Sequence, residues 1–263
     1  MNADDKHYTN HLEENLAFYD LYLNDYIKRL EFCRDNGCNT IMLTGNVEPQ
    51  QNKRFLVDFG IMMRLMERPF RNIEMQTTGS LIDESMLRFL RNHIGVNTIA
   101  LSLFSMDNAV NQQYKGNPPN SVDIKDFCGK VKKYDFNLRL CLTDAFDTFN
   151  AETLFKNCND LGADQATLRK LYDADDGGGQ SVWVKNHSIE PSRYEEFFEY
   201  THKFKALRIL EYGRTAFSIS NMSVIVDDDC MAEDPKNVEF KYLILRPNGK
   251  LYGSWGDPAS LIF

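Results

Sequence analysis

The chain has 263 residues, of which 43% are hydrophobic and 26% are charged, and its formal net charge is −8. This composition is typical of a globular protein and excludes a disordered chain or a disulfide-stapled miniprotein. The negative net charge disfavours nucleic acid and anionic lipid as partners. Because the sequence also has no signal-peptide pattern and no apolar run of bilayer-spanning length, we predict a cytoplasmic protein without a membrane partner.

The six cysteines are dispersed along the chain and form no CxxC pair, which argues against a zinc ribbon or a disulfide framework. The histidines show no metal-ligand spacing. Three consecutive aspartates at 227–229, next to Cys230, are more typical of a solvated turn than of a metal site. We therefore predict reduced cysteines and no protein-held metal site within this sequence.

Apolar residues at intervals of three and four along 12–33 predict a long helix that ends near Gly37, a plausible C-cap. The short apolar run at 40–43 predicts a buried strand. The same alternation then repeats. Further helices are predicted at 51–66, 83–93 with Asp83 as N-cap, 122–134, 152–161 and 192–205, and further strands at 73–77, 98–104, 138–142 and 166–171.

Strands that alternate with helices imply a parallel sheet, either doubly wound or closed into a barrel. We favour an α/β fold of the partial (β/α)6 TIM-like barrel type, with the first strand missing and a small β-rich extension at the C-terminal end. The predicted domains are residues 1–205 and 206–263. The glycine-rich segment 173–180 is interpreted as a mobile lid at the carboxyl end of a strand.

The predicted extension contains short strands at 207–211, 216–220, 222–226, 240–245 and 250–252. Pro247, Asn248 and Gly249 form a turn signal between the last two of these strands, which predicts a β-hairpin.

The segment LTGNVEP at 43–49 follows the first predicted strand and resembles the GGEP motif of the radical S-adenosylmethionine (radical SAM) superfamily. Other strand ends strengthen the likeness, which covers roughly residues 22–172. The matching segments are QTTG at 76–79, IALSLFS at 99–105 followed by Asp107 and YKG at 114–116, and TLR at 167–169.

The resemblance implies how this sequence would hold S-adenosylmethionine (SAM). Gly45 and Glu48 would face the amino group, and Asn46 would line the turn. Ser102 and Ser105 would hydrogen-bond the ribose, and Arg169 would pair with the carboxylate. Each residue also has a plainer interpretation, as part of a strand-to-helix turn or as a strand-end hydroxyl that satisfies backbone groups. An inward-facing arginine in a barrel, however, requires an anion.

The sequence departs from the family in one respect, because it contains no CxxxCxxC triplet to hold a [4Fe-4S] cluster. We hypothesise that the chain is an N-terminally truncated piece, whose cluster ligands lie upstream of Met1 and whose cluster needs a reductant. The catalytic residues are unknown, and Cys230 is only a candidate hydrogen donor by analogy with relatives.

The function that the resemblance implies is that of a radical SAM enzyme core. In full-length form it would reductively cleave SAM at the cluster to modify an unknown small-molecule or peptide substrate. One alternative is a cluster-free pseudoenzyme or a SAM- or peptide-binding module. Another is a metal-independent barrel enzyme unrelated to SAM.

Overall fold

The structure, a computed structural model, describes residues 23–45, 48–116, 120–143, 149–171, 178–210, 214–227, 242–246, 249–254 and 258–262. Its helices are α1 (Leu23–Asp35), α2 (Lys53–Leu65), α3 (Glu84–Phe89), α4 (Asn108–Tyr114), α5 (Ile124–Lys133), α6 (Ala151–Asp160), α7 (Gly179–His187) and α8 (Pro191–Thr201). Short 3-10 turns occupy Pro49–Gln51 and Pro258–Ser260, and a π-helical turn occupies Leu90–Ile94. The strands are β1 (Thr40–Leu43), β2 (Asn72–Thr77), β3 (Thr98–Leu103), β4 (Asn137–Thr143), β5 (Gln165–Arg169), β6 (Lys205–Ile209), β7 (Thr215–Ile219), β8 (Met222–Asp227), β9 (Ile244–Leu245) and β10 (Leu251–Tyr252).

The larger sheet has eight strands in the order β1-β2-β3-β4-β5-β8-β7-β6. β1 pairs with β2 in parallel, as do β4 with β5 and β5 with β8. β7 runs antiparallel to both β8 and β6. The predicted α/β fold with a mostly parallel sheet is therefore confirmed, and the described residues show an open sheet rather than a closed barrel.

The chain divides into two compact units. Unit 1 comprises the described residues of Met1–Thr77, Leu81–Thr98 and Glu233–Phe263, and unit 2 comprises those of Thr78–Ser80 and Ile99–Ala232. The boundary predicted between 205 and 206 stays a prediction. Two strands that follow this boundary, β7 and β8, continue the sheet of unit 2 from β5.

In unit 1, α1 buries one apolar stripe formed by Tyr26, Leu30 and Cys33. The helix ends where the sequence predicts, because Gly37 adopts the left-handed conformation with φ of 98°. This lets the Cys38 N–H donate to the Cys33 carbonyl at 3.0 Å, which satisfies a carbonyl that the helix itself leaves open. The part of the predicted helix before residue 23 lies outside the described residues.

Helix α2 packs closely on the π-helical turn Leu90–Ile94. A Cβ added at Gly60 would lie 2.8 Å from the main-chain oxygen of His93, so only glycine allows this approach. The Arg64 guanidinium donates to the same oxygen at 2.9 Å. The predicted helix at 83–93 is thus an α-helix only as far as Phe89, and the extra residue of the π turn places the His93 carbonyl against α2.

The hairpin at the C-terminal end of unit 1 has the predicted antiparallel pairing, with β9 against β10. Gly249 has φ of 77° and its N–H donates to the Arg246 carbonyl at 2.9 Å, as a tight turn requires. The Arg246 guanidinium lies 4.2 Å from the centre of the Tyr252 ring. The other two residues of the predicted turn, Pro247 and Asn248, lie outside the described residues.

In unit 2, the strands β4, β5 and β8 have one apolar face and one polar face. The apolar face packs against the helices and is fully buried; it contains Leu138, Leu140, Leu142, Ala166, Leu168 and Val224. Helix α5 contacts β4, and α8 contacts both β8 and α6. The opposite face carries Arg139, Cys141, Thr143, Gln165, Thr167, Arg169 and Ser223. Alternation along a strand places these polar residues together, away from the helix layer.

Two helices of unit 2 are not among the predicted elements. Helix α4 follows β3, with the Asp107 carboxylate capping it by accepting from the Val110 N–H at 2.9 Å. Helix α7 begins at Gly179, inside the segment 173–180 that was predicted to be a loop, and this part of the prediction is wrong. Its start is hard to recognise because Gly178 and Gly179 have low helix propensity. Residues 173–177 of the proposed lid lie outside the described residues.

Candidate functional site

The site in unit 1 lies where the parallel strands β1 and β2 end. β1 ends at Leu43 and leads through the half-buried Gly45 to Glu48, which immediately precedes the 3-10 turn Pro49–Gln51. β2 ends at Thr77. Carboxyl ends of parallel strands meet at one edge of a sheet, which is where open α/β folds place their ligands. Asn46, the remaining residue assigned to this turn, lies outside the described residues.

Three polar side chains of this edge form a buried hydrogen-bonded chain. The Thr77 hydroxyl donates to Glu48 Oε2 at 2.5 Å, and Gln50 Nε2 donates to the Thr77 hydroxyl at 3.1 Å. Their exposed fractions are only 1% for Glu48, 2% for Gln50 and 0% for Thr77. A carboxylate held this deep in a protein has a function or a compensating partner, because burial of charge is costly.

The single proton of the Thr77 hydroxyl determines how the Gln50 amide is oriented. Since that proton goes to Glu48, the hydroxyl can only accept from Gln50, which must therefore present its Nε2. The other amide atom, Gln50 Oε1, is buried and has no hydrogen-bond partner. Unit 1 thus brings to one hydroxyl a carboxylate and an amide whose own oxygen is buried and unsatisfied, an arrangement that suits a ligand with more than one N–H donor.

The strand-end turn at 76–79 that contributes to the resemblance continues into unit 2. Gly79 has φ of 88°, and a Cβ added there would lie 3.2 Å from Leu101 and 3.3 Å from Phe127 and Val122. The Lys115 ammonium donates to the Thr78 carbonyl at 2.9 Å. The left-handed backbone therefore favours glycine, and a Cβ at this position would also crowd three apolar side chains.

Ser102 and Ser105 lie on and just after β3 in unit 2. Ser102 is half-buried, on the strand face opposite Leu101 and Leu103. Ser105 is buried, and its hydroxyl oxygen accepts from the Asp107 N–H at 3.1 Å. This bond is the backbone-satisfying contact that the plainer interpretation describes, and it leaves the ribose role of Ser105 as a prediction.

An aromatic cluster that the sequence did not predict surrounds the end of β3. Phe104 lies 5.9 Å from Tyr114 and 6.3 Å from Trp183, measured between ring centres. Trp183 stacks on His187 at 4.2 Å with an angle of 12° between the rings. The cluster joins α4 and α7 to the strand end next to Ser102 and Ser105. Because α7 was not among the predicted elements, no periodicity pointed to these contacts.

Arg169 is the last residue of β5 and shares the polar sheet face with Thr167, whereas Lys170 follows the strand and is exposed. Register places Thr143 of β4 on one side of Arg169 and Asp227 of β8 on the other. The Thr143 Oγ1 atom is buried and has no hydrogen-bond partner, so a hydroxyl group that can donate lies beside the arginine. A guanidinium next to an unsatisfied hydroxyl suits an anion.

Arg139 is a second arginine on this face that was not among the predicted site residues. Its Nε and Nη2 both donate to the Thr167 hydroxyl, at 3.3 Å and 3.2 Å. The alternation of Arg139 with the buried Leu138 and Leu140 along the predicted strand was a signal that could have identified it.

The residues present do not fit an iron–sulfur cluster. No group of three possible ligands occurs among the residues that the structure describes, and the sequence has no CxxxCxxC triplet. In unit 1, a hydrogen bond with Cys38, together with burial, raises the pKa of the Cys33 thiol, which disfavours the thiolate that iron requires. In unit 2, burial raises the pKa of Cys128 to about 12. Cys230 and the aspartates at 228–229 lie outside the described residues.

None of the helices in the described ranges is sufficiently long and apolar to cross a membrane.

No protein-family model matches this chain, and the search of curated proteins also found no match. Solved structures do match. Native anSMEcpe with bound AdoMet (SAM) has 17% sequence identity and a TM-score of 0.50, over 70% of this chain and 51% of its own. Native anSMEcpe with AdoMet and the Kp18Cys peptide has 18% identity and a TM-score of 0.50, over 70% of this chain and 52% of its own.

Coproporphyrinogen III oxidase (HemN) from Escherichia coli, a radical SAM enzyme, has 13% identity and a TM-score of 0.48, over 70% of this chain and 44% of its own. At 17% and 18% identity, the two anSMEcpe structures show that the chain shares their α/β fold. The chain spans about half the length of the two anSMEcpe structures.

Proposed function

We propose that this chain is the SAM-binding core of a radical SAM enzyme, which acts in the full-length protein on a small-molecule or peptide substrate. The observation that carries the proposal is the buried chain Gln50–Thr77–Glu48 at the carboxyl edge of β1 and β2. It presents oxygen acceptors for the amino group of SAM at the turn that resembles the family motif. The cytoplasm remains the proposed location.

The proposed roles are assigned within each unit by itself. In unit 1, Gly45, Asn46 and Glu48 hold the amino group. In unit 2, Arg169 pairs with the carboxylate, and the buried, unpartnered hydroxyl of Thr143 beside it in the register supports an anion there. Ser102 and Ser105 bind the ribose in this proposal.

When bound in the full-length protein, the [4Fe-4S] cluster would supply the electron that cleaves SAM. The described residues provide no ligand set for it, so the proposal assigns neither the cluster ligands nor the reductant to this chain. Cys230 remains a proposed hydrogen donor. The native anSMEcpe structure with bound AdoMet and Kp18Cys peptide supports a peptide as one class of substrate.

Isothermal titration with SAM, under anaerobic conditions, tests the ligand site. Glu48→Gln and Arg169→Leu should each weaken binding about 10-fold or more, because each removes a charged partner of the ligand. Lys170→Leu is the matched control: it removes the same charge from the next residue, which is exposed, and should leave the affinity unchanged. Absence of SAM binding by the unmodified chain would reject the proposal.

A second candidate, a cluster-free module that binds SAM or a peptide, is favoured by the poor fit of the cysteines to a cluster. Anaerobic iron and sulfide reconstitution separates the two candidates, with absorption and EPR spectra of this chain and of a version extended upstream. Iron–sulfur signals in the extended version alone support the enzyme core. A cluster in neither version, with SAM still bound, supports the binding module.

A further inference from the structure

Gln50 is the most unusual buried polar residue that the proposed roles leave unexplained. Its exposed fraction is only 2%, and its Oε1 atom has no hydrogen-bond partner. An acceptor in this situation costs about 1–3 kcal/mol relative to water. A chain tolerates such a cost where a ligand later supplies the missing donor.

The hydrogen-bond chain orients this acceptor and allows no easy alternative. If the amide turned over, Oε1 would face the Thr77 hydroxyl, which has already given its only proton to Glu48 at 2.5 Å. Two acceptors would then face each other in a buried space. Thr77 therefore holds Gln50 with Nε2 inward at 3.1 Å and Oε1 directed elsewhere.

The shared Thr77 hydroxyl brings the amide of Gln50 and the carboxylate of Glu48 to the same place. Gln50 and Glu48 both hydrogen-bond to the hydroxyl oxygen of Thr77. Glu48 immediately precedes the 3-10 turn Pro49–Gln51, and Gln50 lies within that turn. An amino group has at least two N–H donors, so it can satisfy a carboxylate and an amide oxygen together. A neutral hydroxyl ligand has only one proton and cannot bond to both.

We propose that Gln50 Oε1 is a second acceptor, with Glu48, for the amino group of SAM, and that Thr77 is the positioning residue that orients it. This inference rests on the proposed function, since it assigns a binding role within the same ligand site. It adds two residues to those that the sequence motif indicated, and it makes the site selective for ligands with an amine.

The test compares three ligands by titration calorimetry. SAM carries amine and carboxylate, decarboxylated SAM carries the amine alone, and 5′-methylthioadenosine carries neither. Gln50→Met keeps the length of the side chain but removes the acceptor. It should weaken SAM and decarboxylated SAM alike, by about 10- to 100-fold, and leave methylthioadenosine unchanged. Gln51→Met, the same change at the next residue, is the control and should leave all three affinities unchanged.

Substitutions at Thr77 test its positioning role independently. Thr77→Val should weaken both amine-bearing ligands, because the amide loses the partner that orients it. Thr77→Ser keeps the hydroxyl and should restore the affinity. Thermal melts of every variant show whether it is folded; if Gln50→Met unfolds, Gln50→Leu replaces it.

The outcomes separate this inference from the proposed function. If the unmodified chain binds SAM and Gln50→Met binds it within about twofold as tightly, the role of Gln50 is rejected while the ligand site stands. Equal losses for all three ligands would also reject it, because they would indicate a merely structural effect. If the unmodified chain binds neither amine-bearing ligand, both the proposed function and this inference are rejected.

Discussion

Glu48 and Gln50 illustrate what can be recognised at the scale of single residues. The motif at 43–49 pointed to Glu48 from the sequence alone, and the structure finds its carboxylate buried and bonded to Thr77. No sequence pattern pointed to Gln50, because it is singled out by a buried amide oxygen without a hydrogen-bond partner, which only the structure reveals. Whether an amide oxygen has a partner depends on groups brought from β2, 27 residues along the chain.

Gly79 provides a residue-scale prediction. Gly79→Ala should lower the free energy of unfolding for two reasons. The left-handed backbone costs about 1–2 kcal/mol for a residue with a Cβ. Crowding against Leu101, Phe127 and Val122 adds about 1–3 kcal/mol. Urea titration followed by circular dichroism measures the loss.

Gly116→Ala is the matched control for Gly79→Ala. Gly116 has φ of 79°, close to the 88° of Gly79, but a Cβ added there would meet nothing within 4 Å. This variant should show the backbone cost alone. Equal losses in the two variants would contradict the close packing around Gly79.

The start of α3 was predicted correctly at the scale of the element. Asp83 precedes the helix, and its carboxylate accepts from the Met86 N–H at 2.7 Å, as an N-cap does. The last part of the same predicted helix was wrong in type: an α-helix was predicted, but Leu90–Ile94 form a π turn, which packs against Gly60 of α2. Caps are local in sequence, whereas the packing of the π turn on Gly60 involves a different element.

The Asp83 cap gives a prediction with a defined pH dependence. Hydrogen bonds from Ser85 and from the Met86 N–H lower the pKa of this carboxyl, so the carboxylate stabilises the fold at neutral pH. That contribution should be lost as the pH falls below about 4, through the lowered pKa of the folded state.

Asp83→Ala should cost about 1 kcal/mol of unfolding free energy at pH 7, because the helix loses its cap. Asp83→Asn keeps a capping oxygen that does not titrate, so its stability should match that of the unmodified chain at pH 7. Urea titrations between pH 3 and 7 follow the difference. If the Asn variant lost stability on acidification by the same amount as the unmodified chain, the titration of Asp83 would not be the cause.

At the scale of the whole molecule, ligand binding should stabilise the folded chain by mass action. With SAM at a hundred times its dissociation constant, the unfolding free energy should rise by about 2.7 kcal/mol. Thermal melts with increasing SAM measure the effect, and the double variant Glu48→Gln/Arg169→Leu is the control that should show no rise. An unchanged melt of the unmodified chain at saturating SAM would contradict specific binding to the folded state.

The sequence by itself determined the order and type of most elements, the parallel character of the sheet and the strand ends that carry Glu48, Ser102 and Arg169. It could do so because apolar periodicity, caps and turn residues are local properties of the chain. Only the tertiary structure decided that β8 joins the parallel sheet next to β5, that α7 is a helix, and which buried atoms lack partners. Those features arise from contacts between distant segments, and the energy of a buried polar group depends on which groups surround it.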